Sequence, residues 1–307
     1  MTLIQMMTYY FFRILIFLVS WIPIPIGQFL GKILGITFSM IPIQRNRISL
    51  DNIRHSFGDY MERYEIIKLY RQVLAHFGQM LFEMPHILRF KNENLYKYVS
   101  LEGEDNLLQA LKKGKGVFIL TGHFVNWELI AAAVALRFGQ LAVVARPSNS
   151  PSLNRLIYEL RSRFGTEIIP KQNGMRKIFS SLKKNKLIAI LLDQNVDWYQ
   201  GVFVKFLGRW ACVNKGLALM ALRTGSPVIP VFPVKQEDGR YKIIIGEEVS
   251  LIRTGDITRD VEENTALFTK IIEKQVREHP DHWFWFHRRW KTIPYCPLPS
   301  ESIDLSA

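Results

Sequence analysis

Apolar residues form two runs at the start of the chain. The first covers residues 9–22 (YYFFRILIFLVSWI) and the second covers residues 29–43. Four residues interrupt or separate the runs: Arg13, Pro23, Pro25 and Lys32. A helix needs about 20 apolar residues to span a bilayer, so each run alone is too short, whereas the two together are long enough.

This segment has three interpretations. A cleaved signal peptide is disfavoured, because the segment lacks a small-residue cleavage site. A buried hairpin of two short helices in a soluble protein is the second interpretation. We favour a membrane anchor, spanning or re-entrant, because Arg45, Arg47 and Arg54 follow directly and suit a cytoplasmic face against anionic headgroups. We therefore expect a membrane-associated helical segment over residues 1–43 and a second domain over residues 44–307.

The rest of the chain changes from a helical period to an alternation of strands and helices. Apolar residues recur at helical spacing within residues 51–98, and Pro85 ends this stretch. After Leu101, β-branched runs predict strands at residues 116–120, 141–145, 167–170, 187–192, 228–233 and 241–245. Helical patterns cover residues 127–138, 153–164, 176–184, 215–224 and 261–278. The alternation predicts an α/β fold with a mainly parallel central sheet flanked by helices, and an active site beyond the C-terminal ends of the strands.

Charge and cysteine content narrow the partners and the compartment. The 307 residues carry a net charge of +13, which favours an anionic partner such as nucleic acid, an anionic leaflet or an acidic carrier protein. Cys212 and Cys296 are too few for a disulfide framework and have no C-x-x-C spacing. We therefore expect the globular part to lie in a reducing, cytosolic compartment.

The candidate chemistry follows the first predicted strand, in the run from Thr121 to Glu128 (TGHFVNWE). On one helix, His123 and Glu128 would point about 140° apart, so they can meet only if His123 lies in the turn before the helix. Gly122 gives that turn conformational freedom, and Asn126 is suited to cap the helix. Histidine can take a proton from a hydroxyl, and a carboxylate on its other ring nitrogen fixes the tautomer and stabilises the imidazolium.

The sequence offers no strong protein nucleophile beside this pair. A G-x-S-x-G elbow is absent, and Cys212 has no base near it in sequence. A substrate alcohol or amine would therefore attack an acyl thioester directly. The spacing alone is not specific, because a histidine at a helix start beside a solvated glutamate has the same pattern.

The same run resembles the H-x4-D/E motif of the glycerolipid and lysophospholipid acyltransferases. Its form H-F-x-N-W-E is typical of the branch that adds lauroyl and myristoyl chains to lipid A. Four further segments resemble blocks of this branch in the same order: Arg146-Pro147, Leu192-Asp193-Gln194-Asn195, residues 224–232 (TGSPVIPVF) and residues 283–292 (WFWFHRRWKT). The five blocks span nearly the whole chain, so the chain resembles the bacterial lipid A biosynthesis acyltransferases.

The resemblance implies a role for each matching residue. His123 would be the general base and Glu128 its partner, and Arg146 would hold a substrate phosphate or the developing negative charge. Asp193 would bind a polar group of the acceptor, orient a basic side chain or serve the fold. The resemblance also implies acyl transfer from an acyl carrier protein or coenzyme A thioester to a lipid A precursor. The reaction would take place at the cytoplasmic side of the bacterial inner membrane, and no cofactor and no metal ion is expected.

The last block combines basic and aromatic residues: Arg288, Arg289, Lys291, Trp283, Trp285 and Trp290. Aromatic rings are enriched at membrane interfaces, and arginine binds phosphate through two parallel hydrogen bonds. We therefore expect Arg288 and Arg289 to bind a phosphorylated glycolipid acceptor. Aromatic core residues beside a solvated strand end are the structural alternative.

Three other functions share parts of this pattern. A phosphatidylinositol mannoside or an aminolipid would be acylated by the same chemistry. A thioesterase would use the same pair to activate water. A non-enzymatic basic protein that binds nucleic acid is disfavoured, because the sequence has no recognised nucleic-acid-binding motif and its N-terminus is apolar.

Overall fold

A computed structural model of the protein describes residues 2–294 apart from residues 147 and 149, and for residues 92 and 93 it describes the backbone only. The helices are α1 (Leu3–Val19), α2 (Ile24–Ser39), α3 (Gln44–Phe57), α4 (Arg63–Glu83), α5 (Asn92–Leu95), α6 (Glu104–Lys112), α7 (Trp127–Phe138), α8 (Pro151–Ser162), α9 (Met175–Lys183), α10 (Gly216–Thr224) and α11 (Ile257–Glu278). The strands are β1 (Val99–Glu102), β2 (Val117–Thr121), β3 (Leu141–Ala145), β4 (Glu167–Pro170), β5 (Leu187–Leu191), β6 (Gly201–Phe206), β7 (Arg209–Asn214), β8 (Val228–Lys235) and β9 (Tyr241–Ile245). Short 3-10 helices cover Met84–Leu88, Trp198–Gln200 and Pro280–His282.

Seven strands form the central sheet in the order β1-β9-β8-β2-β5-β3-β4. Every neighbouring pair is parallel except β8 and β9. The central strands β2, β5 and β8 are largely buried and rich in Val, Ile and Leu, as expected for parallel strands covered by helices. The predicted α/β fold with a mainly parallel sheet is therefore confirmed.

Several parts of the chain differ from the predicted elements, and β1 and α6 were not predicted. The helical stretch over residues 51–98 is interrupted between α3 and α4, where the Glu65 carboxylate accepts a hydrogen bond from the backbone of Glu62 and so defines a new helix start. Strands β6 and β7 form an antiparallel hairpin that the sequence pattern did not predict. Its two-residue turn has positive φ at both Leu207 and Gly208, and leucine is an uncommon residue in such a turn.

The first two helices pack on the α/β domain. Helix α2 approaches α4 so closely that a side chain at Gly31 or Gly35 would overlap the α4 backbone. Helix α1 contacts α8, where Tyr9 of α1 donates a hydrogen bond to Glu159 of α8 at 2.5 Å. Helices α1 and α2 therefore share packed interfaces with the rest of the chain.

The outer surfaces of α1 and α2 carry many large apolar side chains that are exposed, for example Leu3, Ile4, Met7, Phe11 and Phe29. Among the described residues, no single helix has both the length and the apolar composition needed to cross a bilayer. The pair α2 and α3 meets that test together, although the two helices are bent by 88°. Helix α1 is a shorter apolar helix.

Candidate active site

The turn between β2 and α7 carries His123. Asn126 Oδ1 accepts a hydrogen bond from the Leu129 backbone at 3.1 Å and caps α7, which places Glu128 in the first helical turn. Val125 takes φ +30°, and its N–H donates to the His282 carbonyl at 2.7 Å. The predicted cap is confirmed, and His123 lies outside the helix as expected.

Asp193 holds the His123 ring. The strands before these residues, β2 and β5, are parallel neighbours, and Thr121 lies opposite Leu191. Two positions further along, Asp193 Oδ1 lies 2.8 Å from His123 Nδ1, and Asp193 Oδ2 accepts a hydrogen bond from the His123 backbone at 2.8 Å. A carboxylate at Nδ1 favours the tautomer that carries the proton there, so that Nε2 can accept a proton.

The Asp193 side chain has no exposed surface. Trp283 Nε1 also donates to Asp193 Oδ2 at 2.8 Å. Burial alone would raise the pKa of Asp193, but the charge and hydrogen bonds of His123, together with the charge of His287, hold that pKa well below its usual range. Gly122 permits this close approach, since a Cβ there would lie 3.2 Å from Asp193 Cγ. The carboxylate is therefore ionised and fixed in place at neutral pH.

The other edge of the His123 ring is accessible. The side chain is 20% exposed, and its Nε2 lies 3.4 Å from the side-chain nitrogen of Gln194, which is itself exposed. The rings of Trp127 and Phe284 flank the imidazole, with centroids 5.2 Å and 6.3 Å away. A hydroxyl that reaches Nε2 from this side can transfer its proton to the ring.

Glu128 contacts Arg161 rather than His123. Arg161 donates two hydrogen bonds to the two Glu128 carboxylate oxygens, at 2.8 Å and 2.6 Å. Trp127 Nε1 donates a third hydrogen bond to Glu128, at 3.0 Å. The expected contact between Glu128 and the His123 ring is therefore wrong. The first turn of α7 directs this carboxylate towards α8, whereas the strand register brings Asp193 to the ring.

The arginines expected to bind substrate differ in exposure. Arg146 follows β3 and is exposed, and Pro147, which completes its sequence block, lies outside the described residues. Arg288 is exposed, whereas Arg289 is 1% exposed and donates to the Cys212 carbonyl at 3.1 Å. Burial lowers the pKa of Arg289 to about 10. Arg289, which we expected to bind the acceptor together with Arg288, is instead buried.

Comparison with known proteins decides the family. Residues 1–292 match the family of bacterial lipid A biosynthesis acyltransferases. The chain belongs to this family. It is 26% identical to the lipid A biosynthesis palmitoleoyltransferase of Escherichia coli (strain K12) over 275 residues, which cover 89% of this chain and 87% of that protein. It is 27% identical to a lipid A biosynthesis acyltransferase of Haemophilus influenzae over 287 residues, with coverage of 91% and 88%. A phosphatidylinositol mannoside acyltransferase of Mycolicibacterium smegmatis is 24% identical over 226 residues, which cover 72% of each chain.

In this lipid A acyltransferase family member, the C-terminal aromatic block supports the His123 turn. Trp283 and Trp285 are 1% and 0% exposed, so the expected position at a membrane interface is wrong for these two rings. The Phe284 N–H donates to the His123 carbonyl at 2.9 Å. His287 Nε2 lies 2.9 Å from the Asp193 backbone carbonyl. The block therefore contacts both members of the pair, a role for His287 that its position in the motif did not reveal.

The acyltransferase also has a buried ion pair beside the cap of α7, and no sequence motif indicated this pair. Glu83 Oε1 lies 2.8 Å from Lys235 Nζ, and both side chains are at most 6% exposed. The same carboxylate accepts hydrogen bonds from Tyr241 at 2.6 Å, Asn126 at 3.1 Å and Gln28 at 2.8 Å. This cluster ties α2, α4, β8 and β9 to the cap of α7, and so to the end of the His123 turn.

Proposed function

We propose that this acyltransferase moves a fatty acyl chain from an acyl carrier protein thioester to a hydroxyl of a lipid A precursor. The observation that carries the proposal is the pairing of His123 with Asp193, which leaves Nε2 of the ring accessible. The relatives that match most of the chain have lipid A acyltransferase names, which supports the choice of acceptor.

The reaction needs one base and no protein nucleophile. His123 Nε2 takes the proton of the acceptor hydroxyl while the hydroxyl oxygen attacks the thioester carbonyl. Asp193 holds Nδ1–H and stabilises the imidazolium that forms. When the tetrahedral intermediate collapses, the C–S bond breaks, an ester bond remains, and the imidazolium returns the proton to the leaving thiolate.

We propose that Glu128 is a positioning residue. Its carboxylate joins Arg161 on α8 to Trp127, whose ring packs edge-on against His123. Loss of this carboxylate would free Trp127 and loosen the wall of the site, while the base itself would keep its Asp193 partner. Glu128 would then contribute to activity without a contact to the His123 ring.

Exposed cations support an anionic acceptor and an acidic donor. Arg288 lies one residue from His287, which contacts Asp193, so a phosphate bound by Arg288 would lie near the catalytic pair. Arg146 at the end of β3 is a second exposed cation at the same edge of the sheet. In this proposal, Arg288 and Arg146 bind the acceptor phosphates or the negative charge that develops in the reaction. The net charge of +13 attracts an acidic carrier protein.

We further propose that the exposed apolar surface of α1 and α2 inserts into the bacterial inner membrane, with the catalytic domain on the cytoplasmic side. Apolar side chains cover this surface, and exposed patches of this kind mark membrane or protein contacts. The lipid acceptor would then reach the site from the bilayer.

The test is acyl transfer by the purified protein, followed by mass spectrometry of the lipid products. An acyl carrier protein donor and a coenzyme A donor are each combined with a phosphorylated lipid A precursor, its dephosphorylated form and a phosphatidylinositol mannoside. We expect acylation of the phosphorylated precursor from the carrier protein donor. Acylation of the mannoside alone would contradict the acceptor assignment, and release of free fatty acid in every mixture would indicate a thioesterase.

A further inference from the structure

Three side chains meet beside the catalytic turn and take no part in the proposed reaction. His76 lies on α4, and Asp281 and His282 lie in the 3-10 helix Pro280–His282. One potential ligand atom of each residue lies within 4.8 Å of the other two. His76 Nε2 is 3.4 Å and His282 Nε2 is 3.7 Å from Asp281 Oδ2. Because His76 is distant in sequence from the other two, no spacing motif marks this group.

Neither imidazole makes a hydrogen bond within the described part of the chain. The Nδ1 atoms of His76 and His282 are buried without a partner. The distances from both Nε2 atoms to Asp281 exceed the roughly 2.7–3.2 Å of an N–H···O hydrogen bond. His282 is only 7% exposed, and the His279 ring stacks on it at 5.0 Å. Neither Nε2 atom is therefore held by a protein hydrogen bond that an ion would have to replace.

The spacing of the three atoms suits a tetrahedral ion. Zinc bonds of about 2.0–2.2 Å to histidine nitrogen and carboxylate oxygen place two ligands of a tetrahedron about 3.4 Å apart. The two measured nitrogen–oxygen distances, 3.4 Å and 3.7 Å, are close to that value. The side chains of His76 and Asp281 are 21% and 25% exposed, so solvent can reach the group and supply a fourth ligand.

We propose that His76, Asp281 and His282 bind a divalent transition-metal ion of the Zn²⁺ type, with solvent as the fourth ligand. Two imidazoles and one carboxylate are a common ligand set for zinc, whereas Ca²⁺ and Mg²⁺ prefer oxygen ligands. None of the three ligands takes part in the proposed acyl transfer, so the metal site goes beyond that function.

The bound ion joins α4 to the segment that supports the catalytic pair. The His282 carbonyl accepts the hydrogen bond from Val125 in the His123 turn, at 2.7 Å. The next residue, Trp283, donates to Asp193 at 2.8 Å. An ion on His76 and His282 therefore fixes this segment relative to α4, and its role is positional.

The test is metal binding to the untagged, full-length protein in detergent, first stripped of metal by a chelator. Calorimetric titration with Zn²⁺ should give one equivalent per chain, and Co²⁺ should give the visible absorption of a tetrahedral site. His76→Ala and Asp281→Asn should each weaken Zn²⁺ affinity at least about tenfold, because loss of even an outer partner of a ligand costs 10–100-fold. His55→Ala, which removes an exposed histidine of α3, is the matched control and should bind as the wild type does.

Absence of stoichiometric Zn²⁺ binding by the wild type would overturn the proposal. Equal Zn²⁺ affinity of the wild type and Asp281→Asn would also overturn it, and this variant keeps the size of the side chain. If His76→Ala fails to fold, the wild-type stoichiometry and Asp281→Asn still decide. These titrations contain no acyl donor or acceptor, so their failure would leave the proposed acyl transfer standing, and failure of acyl transfer would leave metal binding standing.

Discussion

Two buried carboxylates lie close to the His123 turn, and they have different partners. Asp193 follows β5, the strand next to β2, and accepts three hydrogen bonds, two of them from His123. Glu128 lies in the first turn of α7 and accepts two hydrogen bonds from Arg161 and one from Trp127. Proximity in sequence favoured Glu128 as the partner of His123, whereas the register of β2 and β5 brings Asp193 to the ring.

The difference shows what an H-x4-E spacing can report. The spacing indicates a local feature, which is a histidine in a turn followed by an acidic residue in the first turn of a helix. It does not report which carboxylate meets the ring, because that contact depends on which strand lies beside β2. The comparison between Asp193 and Glu128 can be tested by changing each residue around the same histidine.

The largest expected effect comes from removal of the base. His123→Ala should lower the rate of transfer by about 10²–10⁴-fold, the usual contribution of general acid–base catalysis. The variant should still fold and remain with the membrane fraction, but it should melt below the wild-type temperature, because the buried Asp193 carboxylate loses its contact with the His123 ring. A purified variant that kept more than about a tenth of the wild-type rate would show that His123 is not the base.

Asp193→Asn should have the next largest effect. The amide at position 193 can donate to Nδ1 of His123, which would stabilise the wrong tautomer, so kcat should fall by about a hundredfold. Steady-state kinetics with a check of folding by circular dichroism measures this loss. Wild-type kcat in a folded Asp193→Asn protein would mean that the ring has another partner.

The two neighbouring arginines provide a matched pair. Arg288→Ala should raise the acceptor KM about ten- to a hundredfold, because a charged hydrogen bond contributes about 1.5–3 kcal/mol. Arg288→Lys should also be impaired, since lysine cannot make the planar two-point contact. Arg289→Ala should instead lower the melting temperature, because its side chain is buried. The measurement is steady-state kinetics in which the donor and the acceptor concentrations are varied separately. An effect of both variants on the donor KM alone would contradict the assignment of Arg288 to the acceptor.

Glu128→Gln should have the smallest effect on catalysis, about tenfold on kcat, if the residue acts only through Trp127 and α8. The free energy of unfolding should fall by about 2 kcal/mol, because charged hydrogen bonds to Arg161 are lost. The double variant Glu128→Gln, Arg161→Gln should be no slower than the slower single variant, since both changes break the same contact. A loss in Glu128→Gln as large as that in His123→Ala would favour a direct catalytic role.

Much of the fold and part of the site could be predicted from local patterns. The alternation of apolar strands with helices predicted the parallel sheet, and Gly122 and Asn126 predicted the turn that exposes His123. Other features depend on contacts between distant segments. The burial of Arg289 depends on the β6–β7 hairpin that supplies the Cys212 carbonyl, and that hairpin turns at a leucine with positive φ. The cluster around Glu83 and Lys235 joins five elements, so no short run of sequence contains it.

A double-mutant cycle on His123 and Asp193 tests whether Asp193 acts through the His123 ring. The transfer rate is measured for the wild type, His123→Ala, Asp193→Asn and the double variant, all with saturating donor and acceptor. Residues that act as one unit show strongly non-additive losses. We expect Asp193→Asn to slow the wild type about a hundredfold and to have almost no further effect in the His123→Ala background. An equal loss in both backgrounds would contradict it, because Asp193 would then act independently of the histidine.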